Sequence, residues 1–172
     1  SPRAMPASRP NIVVILADDQ GFSDWGCFGS EIPTPNIDAL AAGGLSFTNF
    51  FVTPRCSPSR AALLTGAWPH QAGMGHLSQL PIPGSQGIAG KLLDRVVTFA
   101  ELLKDQGYFT AMAGKWHLGI ENGTGPNVRG FDRSIASPQG RVYFPDQQGG
   151  AVSNHQMFID GKQYDIADPA IG

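Results

Sequence analysis

The sequence is short of charge. Only 15% of its 172 residues are Asp, Glu, Lys or Arg, against roughly 25% in an average globular chain. Its 12 basic residues are scattered and the formal net charge is −2. That excludes a nucleic-acid surface, which needs a positive patch to displace counterions from phosphates. No apolar run approaches the ~20 residues of a membrane span, and the longest, Ile12 to Ala17, is strand-sized. Two cysteines, Cys27 and Cys56, are too few for a disulfide framework, though a single bridge between them is one open reading. Residues 1–10 are polar and proline-rich, without the apolar core of a signal peptide. They read as a disordered or appended N-terminus, or as the mature end left by a removed export signal.

Turn chemistry is what the sequence has in excess. Its 22 glycines and 14 prolines make up about a fifth of the chain, against a usual ~12%. A hydrophobic content of 41% still builds a core, so neither a disordered nor a collagen-like chain fits. The β-branched run Asn11 to Ala17 has the pattern of a parallel strand buried on both faces. Thr34 and Pro35 open a helix that Gly43 and Gly44 end. Leu45 to Val52 reads as a strand, and a second helix is expected from near Pro58 to Gly66. Leu77 to Gly90 is loop; Thr98 to Glu101 is a capping box whose helix runs to Gly107. Tyr108 to Ala113 is a further strand, and beyond Gly119 turns dominate, with short strand-like pieces such as Gln156 to Ile159. Alternating strand and helix predict an α/β sheet with helices packed on it.

Three segments fall where such a fold gathers its ligands, at the carboxyl ends of strands. Asp18-Asp19 follows the first strand. Neighbouring carboxylates on a regular strand point to opposite faces. They share one cation only where the chain leaves strand geometry, as Gln20-Gly21 permits. Oxygen ligands favour a hard ion, Ca²⁺ or Mg²⁺; a solvated turn with an N-cap Asp is the plain alternative. In Cys56-Ser57-Pro58-Ser59-Arg60, Pro58 suits a helix's first turn, which puts Cys56 at a helix N-terminus that attracts anions. Arg60 lies one turn on, on the same face, so the segment suits a tetrahedral oxyanion; a buried structural Cys with a surface Arg is the alternative. In Gly114-Lys115-Trp116-His117-Leu118-Gly119, Lys115 and His117 are two apart. In an extended segment they face the same way, a fixed positive charge beside an acid–base group. The bland reading is a loop with a surface Lys and a packed His.

Together these segments resemble the type I, formylglycine-dependent sulfatases of the alkaline phosphatase superfamily, in their arylsulfatase-like branch. The resemblance runs through Arg9-Pro10-Asn11-Ile12, Ala17-Asp18-Asp19, Thr34-Pro35-Asn36-Ile37-Asp38, the Cys56 to Arg60 segment with Leu63-Leu64-Thr65-Gly66, the Gly114 to Gly119 segment and Arg129-Gly130-Phe131-Asp132. It covers residues 9–133, with little match in the last forty. It implies an alkaline-phosphatase-like, mostly parallel sheet flanked by helices, with residues 11–172 as the N-terminal part of a sulfatase catalytic domain.

The resemblance also implies the chemistry. Cys56 would be oxidised to formylglycine, whose aldehyde hydrates to a diol, by a maturation enzyme that reads Pro58 and Arg60. Asp18 and Asp19, with residue 56, would hold a divalent cation, usually Ca²⁺ with Mg²⁺ the alternative. Arg60 would stabilise the diol, Lys115 would neutralise charge on the diol or the sulfate, and His117 would hydrogen-bond the second hydroxyl. One hydroxyl attacks the sulfur of a sulfate ester; the other then loses a proton to His117, and the aldehyde re-forms as sulfate departs. A periplasmic or secreted protein is expected by resemblance.

Later family ligands, an Asp-Asn or Asp-His pair and a further His and Lys, find no match after residue 133; His155, Asp165 and Asp168 lack the expected neighbours. Trp68, His70 and His76 follow the Cys56 helix and are candidates for the pocket mouth, His70 as a substrate contact. Asn122-Gly123-Thr124 matches a glycosylation acceptor. Three rival functions stay open: a phosphonate or phosphodiester hydrolase of the same superfamily, a non-catalytic fragment that needs its C-terminal part, and an enzyme using the Cys56 thiol directly.

Overall fold

Residues 9–139 and 156–165 are described by a computed structural model, in which the chain divides into two units, Ser1–Phe50 and Phe51–Gly172. Residues 1–8 of the expected N-terminal segment, His155 and Asp168 lie outside the described residues.

In the first unit, helix α1 spans Pro35–Gly43 with Pro35 in its first turn, where a missing N–H has no intrahelical partner to lose. Thr34 is the N-cap residue, but its hydroxyl bonds elsewhere. It accepts the Gly26 N–H (2.8 Å) and donates to Asp38 Oδ1 (2.9 Å), and Asp38 Oδ1 also accepts the Cys27 N–H (2.8 Å). Thr34 and Asp38 therefore tie the start of α1 to the short 3₁₀ turn Gly26–Phe28, which follows another at Phe22–Asp24. The rings of Phe22 and Phe28 stack at 4.5 Å.

Two expected strands do not form. Residues 11–17 and 45–52 are irregular, and Val13 is 81% exposed and Phe51 86%. β-branched residues suit a pleated surface, but a strand exists only through hydrogen bonds to a neighbour. Among the described residues neither run has a partner strand.

In the second unit, α2 spans Cys56–Thr65 and α3 spans Phe99–Asp105. α2 begins two residues earlier than expected, with Arg55 as N-cap. Pro58 is thus its third residue, where an amide hydrogen would still lack an intrahelical acceptor. Gly66, at φ +66°, ends the helix by donating to Ala62 O (2.8 Å). The capping box of α3 forms as read: Thr98 Oγ1 accepts the Glu101 N–H (3.1 Å) and Glu101 Oε2 accepts the Thr98 N–H (2.6 Å).

A four-stranded sheet has the order β1–β2–β3–β4: β1 Ala111–Lys115, β2 Arg133–Ser137, β3 Gln156–Ile159 and β4 Lys162–Asp165. β1 and β2 are parallel, from Ala111 opposite Arg133 to Lys115 opposite Ser137. The other two pairings are antiparallel. The described sheet is therefore mixed rather than mostly parallel. Its β3–β4 hairpin turns on Asp160 and Gly161, both left-handed at φ +49° and +84°, the backbone that a tight two-residue hairpin needs. The class remains α/β. The segment 77–90, expected as loop, is held by the bridge between Met74 and Ile88 and by Ala89 N–H to Gly73 O (2.8 Å).

Trp116, Met74, Leu92 and Leu118 are the large, fully buried side chains of the core. Trp116 meets Phe131 edge-to-face at 6.1 Å and donates from Nε1 to Thr124 O at 2.7 Å, so its one polar atom is satisfied inside. Thr124 is itself buried, donating to the Leu118 or Gly119 carbonyl at 2.9 Å.

Arg129-Gly130-Phe131-Asp132 is a structural knot. Arg129, 5% exposed, reaches Leu93 O, Val96 O and Glu101. Gly130 (φ +95°) admits no Cβ, which would collide with Glu101 N. Asp132 accepts the Thr110 N–H (3.0 Å) and pairs with Lys104 (2.7 Å). The Lys104 ammonium, with the Thr110 amide, holds the Asp132 carboxyl below its ordinary value.

Candidate active site

Cys56 opens α2, and the approach to it is fastened locally. Ser59 Oγ lies 2.8 Å from both Thr53 O and Arg55 O, and 2.7 Å from Thr53 Oγ1. These bonds fix the turn that feeds the helix, leaving the first-turn N–H groups and the positive end of the helix dipole beside Cys56. Cys56 is a free cysteine, as is Cys27 in the first unit.

From the other side comes the end of β1. Trp116 N–H donates to Ser137 O (2.9 Å), extending the parallel pairing one residue past Lys115. The chain then turns sharply: His117 has φ +57°, left-handed backbone that a non-glycine residue rarely adopts and that histidine tolerates better than most. Such backbone costs on the order of 1–3 kcal/mol and persists where the surroundings over-determine it. Here they do. Trp116 is locked in the core, and Gly119 (φ +88°) packs so closely on Gly90 and Lys91 that a Cβ would meet Gly90 O at 2.7 Å.

The turn delivers His117, 4% exposed, to Cys56, with Nδ1 3.2 Å from Sγ. Its other ring nitrogen, Nε2, lies 2.9 Å from Gln79 Oε1. Arg60, 9% exposed, donates from Nη1 to Lys115 O at 2.7 Å, so the guanidinium clamps α2 to the end of β1. Cys56, Arg60, Lys115 and His117 thus belong to one junction. The extended geometry expected for Lys115 and His117 does not hold, because the strand ends at Lys115. The left-handed turn, not strand alternation, sets where the imidazole goes.

In the first unit, Asp18 and Asp19 are exposed and Asp19 has φ +53°. The left-handed residue is the second carboxylate itself, one residue before Gln20. A kinked, exposed, oxygen-only pair has the donor chemistry of a hard divalent cation. No group of three or more His, Cys, Asp or Glu side chains gathers among the described residues.

Of the three pocket-mouth candidates, Trp68 (76% exposed) and His70 are exposed. The His70 ring stands over Gly75, where a Cβ would meet its Nε2 at 2.6 Å. His76 is half-buried, and its Nδ1 has no hydrogen-bond partner among the described residues. Sequence reading missed Gln79 and Ser57. Gln79 lies in a stretch that reads as undifferentiated loop, and Ser57 is hidden between the two residues that carry the motif; its Oγ accepts the Ser78 N–H at 3.3 Å.

No helix among the described residues is long and apolar enough to cross a membrane. The family model described as Sulfatase matches residues 10–167, well past the last motif read from the sequence. The arylsulfatase of Klebsiella aerogenes is 47% identical over 134 residues, 77% of this chain and 29% of that one. The steryl-sulfatase of Homo sapiens is 50% identical over 116 residues, 66% of this chain and 20% of that one. Among solved structures, Ps i-CgsB matches with a TM-score of 0.75 at 38% identity, over 92% of this chain and 38% of that chain. The PsFucS1 sulfatase from Pseudoalteromonas sp. matches with a TM-score of 0.66 at 37% identity, over 77% and 26%. The chain spans less than a third of the length of the curated relatives it matches. With an α/β, alkaline-phosphatase-like architecture and a family match over nearly its whole length, the chain belongs to the sulfatase family.

Proposed function

We propose that the protein carrying this chain hydrolyses sulfate esters of aryl or carbohydrate alcohols, with residue 56 as the nucleophile. The observation that carries the reading is the approach of Cys56 Sγ to His117 Nδ1, 3.2 Å, at the N-terminus of α2. A formylglycine made from Cys56 by a maturation enzyme would supply, as its hydrate, a nucleophilic hydroxyl and a second hydroxyl able to release the group bound to it. His117 Nδ1, at hydrogen-bond distance, receives a proton from the group at residue 56. Arg60 holds the helix end against β1 and adds positive charge beneath residue 56, and Lys115 adds a second cation where sulfate charge accumulates. Asp18 and Asp19 would hold a divalent cation, Ca²⁺ or Mg²⁺, which supplies charge stabilisation to the sulfate oxygens when bound. His70 belongs to the rim that contacts the alcohol part of the substrate. A periplasmic or secreted location accompanies this reading by family likeness.

The test is mass spectrometry of the Cys56 to Arg60 peptide after co-expression with a formylglycine-generating enzyme, with aryl sulfate and aryl phosphonate assays of the full-length protein. An aldehyde in place of the thiol and preferential sulfate hydrolysis are expected. An intact cysteine in active protein, or preferential phosphonate hydrolysis, overturns the proposal.

A further inference from the structure

The sulfate-ester reading leaves Gln79 without a role, yet it is held firmly. It occupies the third position of the turn Leu77 to Leu80, closed by Leu80 N–H to Leu77 O at 3.0 Å. That turn is pinned to α2 by Ser78, 5% exposed, whose N–H donates to Oγ of the fully buried Ser57. From this support Gln79 Oε1 lies 2.9 Å from His117 Nε2, while Nδ1 faces Cys56 Sγ. Residues 56, 117, 79, 78 and 57 therefore form a closed circuit, three hydrogen-bond contacts completed by adjacent positions in the chain.

A neutral imidazole carries one ring proton, and the partner of each nitrogen decides where it sits. A carboxamide oxygen only accepts, so Oε1 beside Nε2 selects the Nε2–H tautomer and leaves a lone pair on Nδ1. The opposite amide orientation would place the ring proton on Nδ1, able only to donate toward residue 56. In the oxygen-inward orientation Oε1 also lies 3.5 Å from Ser78 Oγ, whose hydroxyl can donate to it. We propose that Gln79 is a positioning residue that holds His117 in its Nε2–H tautomer, so that the lone pair of Nδ1 faces residue 56. The catalytic meaning rests on the sulfate-ester reading, but the tautomer itself does not.

Long-range ¹⁵N–¹H NMR of the histidine rings tests this, in a Cys56→Ala background that removes any influence of the thiol. With Gln79 present, His117 is expected to show a protonated Nε2 and an unprotonated Nδ1 when neutral. Adding Gln79→Leu is expected to abolish the single tautomer and average the two nitrogen signals. Adding Gln79→Glu, which keeps the acceptor, is expected to restore the Nε2–H form. A proton on Nδ1 with Gln79 present, or the same tautomer in Gln79→Leu, overturns the proposal. Should Gln79→Leu fail to fold, the Cys56→Ala and Gln79→Glu spectra still decide it. None of these spectra depends on turnover, so a failure to hydrolyse sulfate esters counts against the proposed function alone.

Discussion

Cys56 Sγ stands 3.2 Å from His117 Nδ1 although 61 residues separate them in the chain. Two independent supports make that approach possible: Arg60 bonded to Lys115 O from the helix side, and the left-handed turn at His117 from the strand side. The expected consequence is that His117→Asn spares the fold, because asparagine adopts left-handed backbone readily. Turnover of an aryl sulfate by the matured full-length protein should fall by roughly 10²–10⁴, the usual worth of a positioned acid–base group. Steady-state kinetics beside a melting curve checks both halves, and unchanged turnover would remove His117 from the mechanism.

Arg129 carries a structural load despite lying in a family motif. Its guanidinium is buried between Glu101 and the carbonyls of Leu93 and Val96, at the N-terminus of α3. Arg129→Met strands those acceptors and leaves Glu101 without its cation. A loss of about 3 kcal/mol is expected, toward the low end for a broken buried pair because Glu101 is 30% exposed. Urea denaturation measures it; a change below half a kcal/mol would contradict the packing described.

Asp132 predicts an acid dependence. Lys104 and the Thr110 amide lower its pKa from 3.8, so the folded state favours the charged form. The associated stability is present above pH 3.8 and is lost as pH falls below that value through the folded pKa. Asp132→Asn should accordingly melt lower than the parent at pH 7, and the two curves should converge in acid. A gap independent of pH would show that the side chain acts through shape rather than charge.

Metal and thiol chemistry can be separated by reagents. Dialysis of the matured full-length protein against a chelator is expected to stop aryl sulfate hydrolysis, and added Ca²⁺ or Mg²⁺ to restore it. A thiol alkylator should leave activity intact, because residue 56 would no longer be a thiol. Inhibition by the alkylator with indifference to the chelator would favour direct use of Cys56.

Much of the local structure was legible because its causes are local. The Thr98 and Glu101 capping box, the Pro35 start of α1 and the Gly66 end of α2 each need only residues within one turn. The candidate site residues were legible as well, since Cys56, Arg60, Lys115 and His117 sit in short segments. What was not legible is how they meet. Alternation along an extended strand was the wrong rule for Lys115 and His117, because the turn at His117 is imposed by the packing of Trp116 and Gly119.

The amino-acid sequence by itself determined which residues are candidates for the chemistry, where α1 begins and α2 ends, and that the class is α/β. Tertiary structure decided that residues 11–17 and 45–52 stay unpaired among the described residues, because a strand requires a neighbour that no local pattern supplies. It also decided that Arg129-Gly130-Phe131-Asp132 is a structural knot and that Gln79 meets His117. Both outcomes rest on hydrogen bonds between segments far apart in the chain, and such bonds leave no period, cap or spacing in the sequence.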